Sequence, residues 1–399
     1  MVYYINMYCE ATFIDLNQHG VSPRYDMLMP SVFKLNYITP VGNNMEIDFS
    51  EIIYLQDPNW QDLSADYEQF LLSMTGPTVI DITGLDPQKC RVVTTLLQGS
   101  EPSGLIALHR WLTTRDVNEL PRTNLRFIIC SVEAACIKPL LSKRFIEGSK
   151  DINRCFGNVS PAQHKSQEQN GCYERAQLIK RAIQEVSPEV VIDLHNAASP
   201  CPTFAVSSVI TPDTISVASL FCQTLILSGL QLGSLVEQKF SCPTITIECG
   251  GRIDEQAHEV AYAGISHLAK CEKLDSIQQE KNIEIISLPL RLKLKEDVNL
   301  SYASHDEGHS GVTLKQNIDC FNFGGANQDE MIGWVDGNGL DNLQLFNKHG
   351  CDVVSEYFYI RENQLVCKQN LRLFKATSDK QVALADCLFY VVKQTPNRI

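Results

Sequence analysis

Residues 190–196 read Val190-Val191-Ile192-Asp193-Leu194-His195-Asn196, and the fold is decided in this stretch. A β-branched apolar run of this length, without strict alternation, marks a strand buried on both faces, the kind found inside parallel sheets. The same texture recurs outward from it. Arg91–Leu97 (RVVTTLL), Leu125–Val132 (LRFIICSV) and Thr244–Ile247 are further buried-strand candidates, with shorter ones at Val79–Ile82 and Thr203–Ser207. Between them lie stripes with helical spacing. One runs from Leu105 to Leu112. Another places Cys172, Ala176, Ile179, Ile183 and Val186 on one face, and a third does so with Ala257, Val260, Ala261, Ile265 and Leu268. Strands alternating with helices predict an α/β fold: a mostly parallel or mixed sheet with helices on both faces.

Farther out the patterns weaken. Residues 1–60 have little periodicity beyond a strand near Ile52–Leu55 and are read as an N-terminal extension. A helix is expected over Leu63–Met74. Residues 61–280 form the α/β domain. Residues 281–399 form a β-rich C-terminal domain, with strands expected at Ile283–Leu294, Tyr357–Ile360, Gln364–Val366 and Leu388–Val392. A chain of 399 residues, 44% hydrophobic and 20% charged, has ample material for such cores. Its formal net charge of −13 argues against nucleic acid as a partner, because phosphate binding needs clustered Lys and Arg. No run of about 20 apolar residues suits a membrane span, and the first residues lack the pattern of a secretory leader. The 15 cysteines are scattered, with no Cys-x-x-Cys spacing. They read as reduced thiols of a cytoplasmic protein.

In open α/β sheets, ligands bind beyond the carboxyl ends of the strands. Gln98 and Glu101 follow the strand at 91–97, His195 and Asn196 follow the one at 190–194, and Glu248 follows the one at 244–247. Arg144 and the segment Asp151-Ile152-Asn153-Arg154 lie between the first two. A single such residue is commonly a capped or solvated group; at three successive strand ends a functional site becomes as good a reading as that one by position alone, and the motif context decides between them. Other histidines read differently. His109 falls on the apolar face of its helix and is expected to be a satisfied core residue, while His164 sits in a polar loop. The loop Asp336–Asp341 has the composition of a turn, and its twelfth position lacks the glutamate of a calcium loop.

The motifs Gln98-Gly99-Ser100-Glu101-Pro102-Ser103-Gly104, Arg144-Phe145-Ile146, Asp151-Ile152-Asn153-Arg154-Cys155-Phe156, Asp193-Leu194-His195-Asn196 and Glu248-Cys249-Gly250-Gly251 stand in this order. Over residues 77–270 the chain thereby resembles the succinylglutamate desuccinylase/aspartoacylase family, the amidohydrolase relatives of zinc carboxypeptidases. The resemblance implies one zinc per chain, with Glu101 and His195 as ligands and the Gln98 position as the third. Gln98 itself is a departure, since the family has histidine there. The resemblance further implies Glu248 as general base and acid, and Arg144 as the oxyanion-stabilising residue. Asn153 and Arg154, joined by Asn196, become the binding groups for a carboxylate-bearing substrate. Asp193, two residues before His195 on the same strand face, is placed to orient it. A catalytic zinc keeps an open position and lowers the pKa of bound water to about 7. The expected activity is thus metal-dependent hydrolysis of a small anionic amide. Two alternatives stand: a degenerate member that binds an anionic ligand without hydrolysing it, as Gln98 suggests, and a carboxypeptidase-type peptidase. Homo-oligomerisation is left open.

Overall fold

The structure is a computed structural model that describes residues 48–59, 63–116, 118–157, 167–274 and 283–394. The N-terminal extension up to residue 47, with His19, and the loop histidine His164 lie outside the described residues. The chain runs through β1 (Ile53–Gln56), α1 (Tyr67–Leu72), β2 (Thr78–Ile82), β3 (Asp86–Thr95), α2 (Ser103–Thr114), β4 (Thr123–Ile129) and α3 (Val132–Ala135). It continues through α4 (Gln167–Gln184), β5 (Val190–Ala197), β6 (Phe204–Ser207), α5 (Pro212–Ser219), β7 (Thr224–Leu227), β8 (Thr244–Gly251), α6 (Glu255–Lys270) and β9 (Glu284–Ser287).

Among the described residues, nine strands form one sheet in the order β1-β2-β4-β3-β5-β8-β6-β7-β9. Its centre, β4-β3-β5-β8, is parallel, while β2 and β6 run antiparallel to their neighbours on the inner side. Strand periodicity sorts the side chains between two layers. Val93, Ile192, Ile245 and Ile247 pack under α2 and α6, against Leu105, Leu108, Ile265 and Leu268. Val92, Ile128 and Val191 face the other way, onto Cys172, Ala176, Ile179 and Ile183 of α4. The central strands are buried along their length because both faces are covered. Among the described residues, no helix is long and apolar enough to cross a membrane.

The rest of the chain gives β10 (Leu290–Leu294), β11 (Leu300–Ala303), β12 (Val312–Lys315), β13 (Met331–Val335), β14 (Leu343–Leu345), α7 (Val354–Tyr357), β15 (Phe358–Arg361), β16 (Gln364–Cys367), β17 (Leu371–Phe374), α8 (Lys380–Ala385) and β18 (Phe389–Lys393). Among the described residues these strands form a four-stranded sheet, β14-β10-β18-β17, and a five-stranded one, β11-β12-β13-β16-β15. A second core built on Leu292, Leu314, Phe358, Leu365 and Phe389 joins them.

Two local expectations differ from what forms. The helix expected over 63–74 spans only Tyr67–Leu72, because Asp66 caps it by accepting from Gln69 N at 2.8 Å. The strand expected over 283–294 is broken at Leu288-Pro289. Leu288 takes a φ of 54° and the proline has no N–H to give a ladder. β9 therefore pairs in parallel with β7 in the large sheet, and β10 pairs with β14 and β18 in another. α5 and β7 were not apparent from periodicity; both are short.

Candidate functional site

Register and strand periodicity bring the polar strand-end residues together. Thr94 of β3 is paired with Asp193 of β5, which is paired with Thr246 of β8; one step on, His195 is paired with Glu248. These residues point to the α4 side of the sheet, where Val92 and Val191 are already seated. Apolar packing gives way to a polar row as the strands reach their carboxyl ends. Gln98 and Glu101 come from the turn that leads β3 into α2, closed by Glu101 N donating to Gln98 O at 3.1 Å. That turn lies against the sheet because Gly104 has no side chain: a Cβ there would stand 2.2 Å from Thr95 Oγ1 and 3.0 Å from Leu194 Cβ.

His195 is the centre of the cluster. Its Nδ1 lies 2.7 Å from Glu101 Oε2 and 3.1 Å from Gln98 Oε1, and its Nε2 lies 2.6 Å from Asp193 Oδ2. Asp193 is itself held by Thr94 Oγ1 at 2.7 Å. Burial pulls the imidazole pKa down, but Asp193 and Glu101 more than offset it and hold it well above the ordinary histidine value. The Gln98 amide is oriented at both ends. Its oxygen faces His195, and its Nε2 donates to Asp151 Oδ2 at 2.9 Å.

Arg144 closes the ring of polar contacts. Its Nη2 donates to Asp151 Oδ2 at 2.8 Å, and its Nη1 lies 3.6 Å from Glu101 Oε1. Asp151 also caps its own segment by accepting from Asn153 N at 2.9 Å. Burial works against the Asp151 charge, yet Arg144 and Arg154 hold its carboxyl below the usual range. Asn153 places Nδ2 3.3 Å from His195 Nε2, and its Oδ1 accepts from Leu235 N at 2.9 Å. The Arg154 side chain is a quarter exposed, with Nη2 3.8 Å from Asp386 Oδ1. Asn196 faces away from this ring. Its Oδ1 accepts from Ser103 N at 2.9 Å, and its Nδ2 donates to Ser103 Oγ at 2.7 Å and to Gly250 O at 3.2 Å. Ser103 Oγ in turn lies 2.8 Å from His258 Nδ1 on α6.

A cavity of about 270 Å³ opens over these groups, lined by Glu101, Arg144, Asp151, Arg154 and Asn196 on one side and by Lys375 and Asp386 on the other. Lys375 Nζ is paired with Glu248 Oε1. Glu248 is buried, and its Oε2 has no hydrogen-bond partner among the described residues. Burial alone would raise the Glu248 carboxyl, but Lys375, His195 and Arg144 hold it below the usual glutamate range. Arg291 binds Asp386 through both the carboxylate and the backbone carbonyl.

The residues singled out from the strand ends and the two intervening segments thus meet in one place. Lys375, Asp386 and Arg291 were not among them. They come from the C-terminal sheets, and no motif marks them in the sequence. His109 is a satisfied core histidine: Nε2 is 2.8 Å from Ser64 O, and the ring packs 5.3 Å from Phe70. Asp336 binds Gly311 N and Asn342 Nδ2, each at 2.7 Å, as a turn residue does.

Among the described residues, no group of three or more His, Cys, Asp or Glu side chains is arranged to hold a metal ion. The set that converges on one point is Glu101 Oε2, His195 Nδ1 and Gln98 Oε1. Two of these are ordinary divalent-metal donors and the third is a neutral amide oxygen, so the donor set is compatible with a divalent cation but weaker than one in which a second imidazole replaces the amide.

Residues 92–264 match the family model described as succinylglutamate desuccinylase/aspartoacylase catalytic domain. No curated protein matches in sequence. Among solved structures, the chain is similar to a succinylglutamate desuccinylase from Vibrio parahaemolyticus, with a TM-score of 0.52 and 15% identity over 84% of this chain and 97% of that one. It is also similar to a succinylglutamate desuccinylase/aspartoacylase from Rhodobacter sphaeroides (TM-score 0.48, 14% identity, 81% and 89% covered). Murine aminoacylase 3 gives a TM-score of 0.45 at 13% identity, with 78% and 96% covered. At 15% identity, the likeness to the Vibrio enzyme is one of fold: a large mixed sheet flanked by helices, followed by smaller β-sheets.

Proposed function

We propose that this protein, whose residues 92–264 match the succinylglutamate desuccinylase/aspartoacylase catalytic-domain model, hydrolyses the amide bond of a small, carboxylate-bearing N-acyl amino acid or related amide. One observation carries the reading: Glu101, His195 and the Gln98 amide oxygen converge within hydrogen-bonding distance beneath a cavity that Arg144 and Arg154 also line. Glu101, His195 and Gln98 would hold the zinc that the family implies, which supplies an activated water and polarises a carbonyl.

The chain's own groups then have distinct tasks. Asp193 and Thr94 fix the imidazole so that Nδ1 points at Glu101 and Gln98; holding a cation requires Nδ1 to be unprotonated. Arg144 lines the cavity and is anchored by Asp151 through Nε and Nη2, with Nη1 3.6 Å from Glu101 Oε1, so its guanidinium is held beside the place where negative charge on a reacting oxygen would develop. Arg154, partly exposed and only loosely paired with Asp386, offers its guanidinium to a substrate carboxylate. Glu248 takes a proton from water and returns it to the leaving nitrogen. A small substrate suits a cavity walled on one side by Lys375 and Asp386, and this favours an amidohydrolase over a peptidase acting on long chains.

A second reading, ligand binding without hydrolysis, is favoured by the Gln98 amide, which is already engaged by both His195 and Asp151. Turnover of a panel of N-acyl amino acids with acidic and neutral side chains separates the two. Under the hydrolytic reading, Glu248→Gln drops turnover by at least about 10³-fold while substrate still binds. Turnover unchanged in that variant overturns the mechanism, and a wild-type protein that binds members of the panel without cleaving them supports the binder.

A further inference from the structure

We propose that Lys375 recognises an anionic group of the ligand and, in doing so, releases Glu248, so that the charge of the ligand decides when the Glu248 carboxylate is free to act. The inference rests on the reading of Glu248 as the acting base. It also reaches beyond that reading, to a residue on the C-terminal side of the cavity that no sequence motif marks.

The backbone is built to present this lysine. Lys375 follows β17 with a φ of 54°, a left-handed conformation that residues other than Gly, Asn and Asp rarely adopt. It is held there from the next residue on. Asn322 Nδ2 donates to Ala376 O at 2.8 Å, and Asn322 Oδ1 accepts from Ala376 N at 2.8 Å. A doubly clamped, strained turn that aims one ammonium into a cavity is what a placed functional group requires.

The pair is also asymmetric. The Glu248 side chain is 6% exposed and lies deep, with Oε2 unpartnered, whereas the Lys375 side chain is 36% exposed and lines the cavity. An incoming carboxylate can reach the lysine but not replace the glutamate. A buried pair with one carboxylate oxygen unsatisfied is a poor structural device. Of the other cations along the cavity, Arg144 is taken by Asp151 and Lys150 by the Tyr173 hydroxyl, while Arg154, only loosely paired with Asp386, remains open to a second anionic group of the ligand. Once the ammonium turns to the ligand, Glu248 loses its ion-pair partner and both of its carboxylate oxygens are left without a bound cation.

Calorimetric titration with glutarate and with its neutral diamide, glutaramide, tests the idea without requiring turnover. Removing the internal competitor in Glu248→Gln leaves Lys375 free, so glutarate affinity rises about tenfold. Lys375→Met lowers it about tenfold, Lys375→Arg restores it, and glutaramide binding responds to none of the three. Three results overturn the proposal: wild type that binds no glutarate, Glu248→Gln with unchanged glutarate affinity, or Lys375→Met that weakens glutarate and glutaramide equally. On the N-acyl amino acid panel, Lys375→Met raises KM for acidic members and abolishes the kcat advantage that wild type gives acidic over neutral members; an advantage kept in that variant overturns the release of Glu248. Absence of turnover throughout rejects the hydrolytic reading, while the titrations still decide the role of Lys375.

Discussion

Gln98 is where one side chain decides what the site can hold. Its amide oxygen lies 3.1 Å from His195 Nδ1, and its nitrogen is spent on Asp151. An amide oxygen is neutral and a weak donor to zinc; an imidazole in its place would complete a set of two histidines and one glutamate. Gln98→His is therefore expected to tighten metal binding by about 10–100-fold. Elemental mass spectrometry after dialysis, with Glu101→Ala as the control, reads this directly. If Gln98→His retains no more metal than wild type, the assignment of Glu101 and His195 as ligands is wrong. The substitution is legible in the sequence, because it stands inside a motif. What the sequence does not convey is that Gln98 has acquired partners of its own, which depends on Asp151 arriving from a segment 53 positions away.

At the level of elements, the central strands were legible for a simple reason: parallel strands covered on both faces must be continuously apolar, so 91–97, 125–132, 190–194 and 244–247 read plainly. The polar contacts that lock helices onto those strands did not. α2 begins after Pro102 with no side-chain cap of its own, and Asn196 supplies one from β5, 93 positions away. This is why Asn196, expected among the substrate-binding residues, is found with its amide turned to Ser103 and Gly250. Gly104 belongs to the same junction. A methyl group there would meet Thr95 Oγ1 at 2.2 Å, and neither α2 nor β3 can retreat without disturbing Glu101. Gly104→Ala is accordingly expected to cost about 3 kcal/mol of stability, measured by urea denaturation. A loss below about 0.5 kcal/mol, the level of an ordinary surface change, would show that helix and strand are not pressed together as described.

Over the whole molecule, the cavity has two sources. One wall comes from the strand ends of the large sheet and the segment 144–154, and the other from residues that follow β17 and precede β18. The β-rich texture after residue 280 was visible in the sequence, but Lys375, Asp386 and Arg291 were not. They matter only through the packing of one sheet beside another, which leaves no periodic trace. Asp386 gathers this wall, binding Arg291 and lying 3.8 Å from Arg154. Burial opposes its charge, but Arg291, Arg154 and Lys375 together hold its carboxyl below the usual range. A carboxyl whose pKa is lower folded than unfolded adds stability above its unfolded value of about 3.9 and loses it as pH falls through the folded one. Asp386→Asn keeps the shape and the backbone contact but removes the charge. It is expected to be about 2 kcal/mol less stable than wild type at pH 7, with the gap shrinking as pH drops from about 5 toward 3. Denaturation midpoints across that range measure it. A gap that stays constant with pH would mean that shape rather than charge holds this wall in place, and that the cations around Asp386 are already free to meet a ligand.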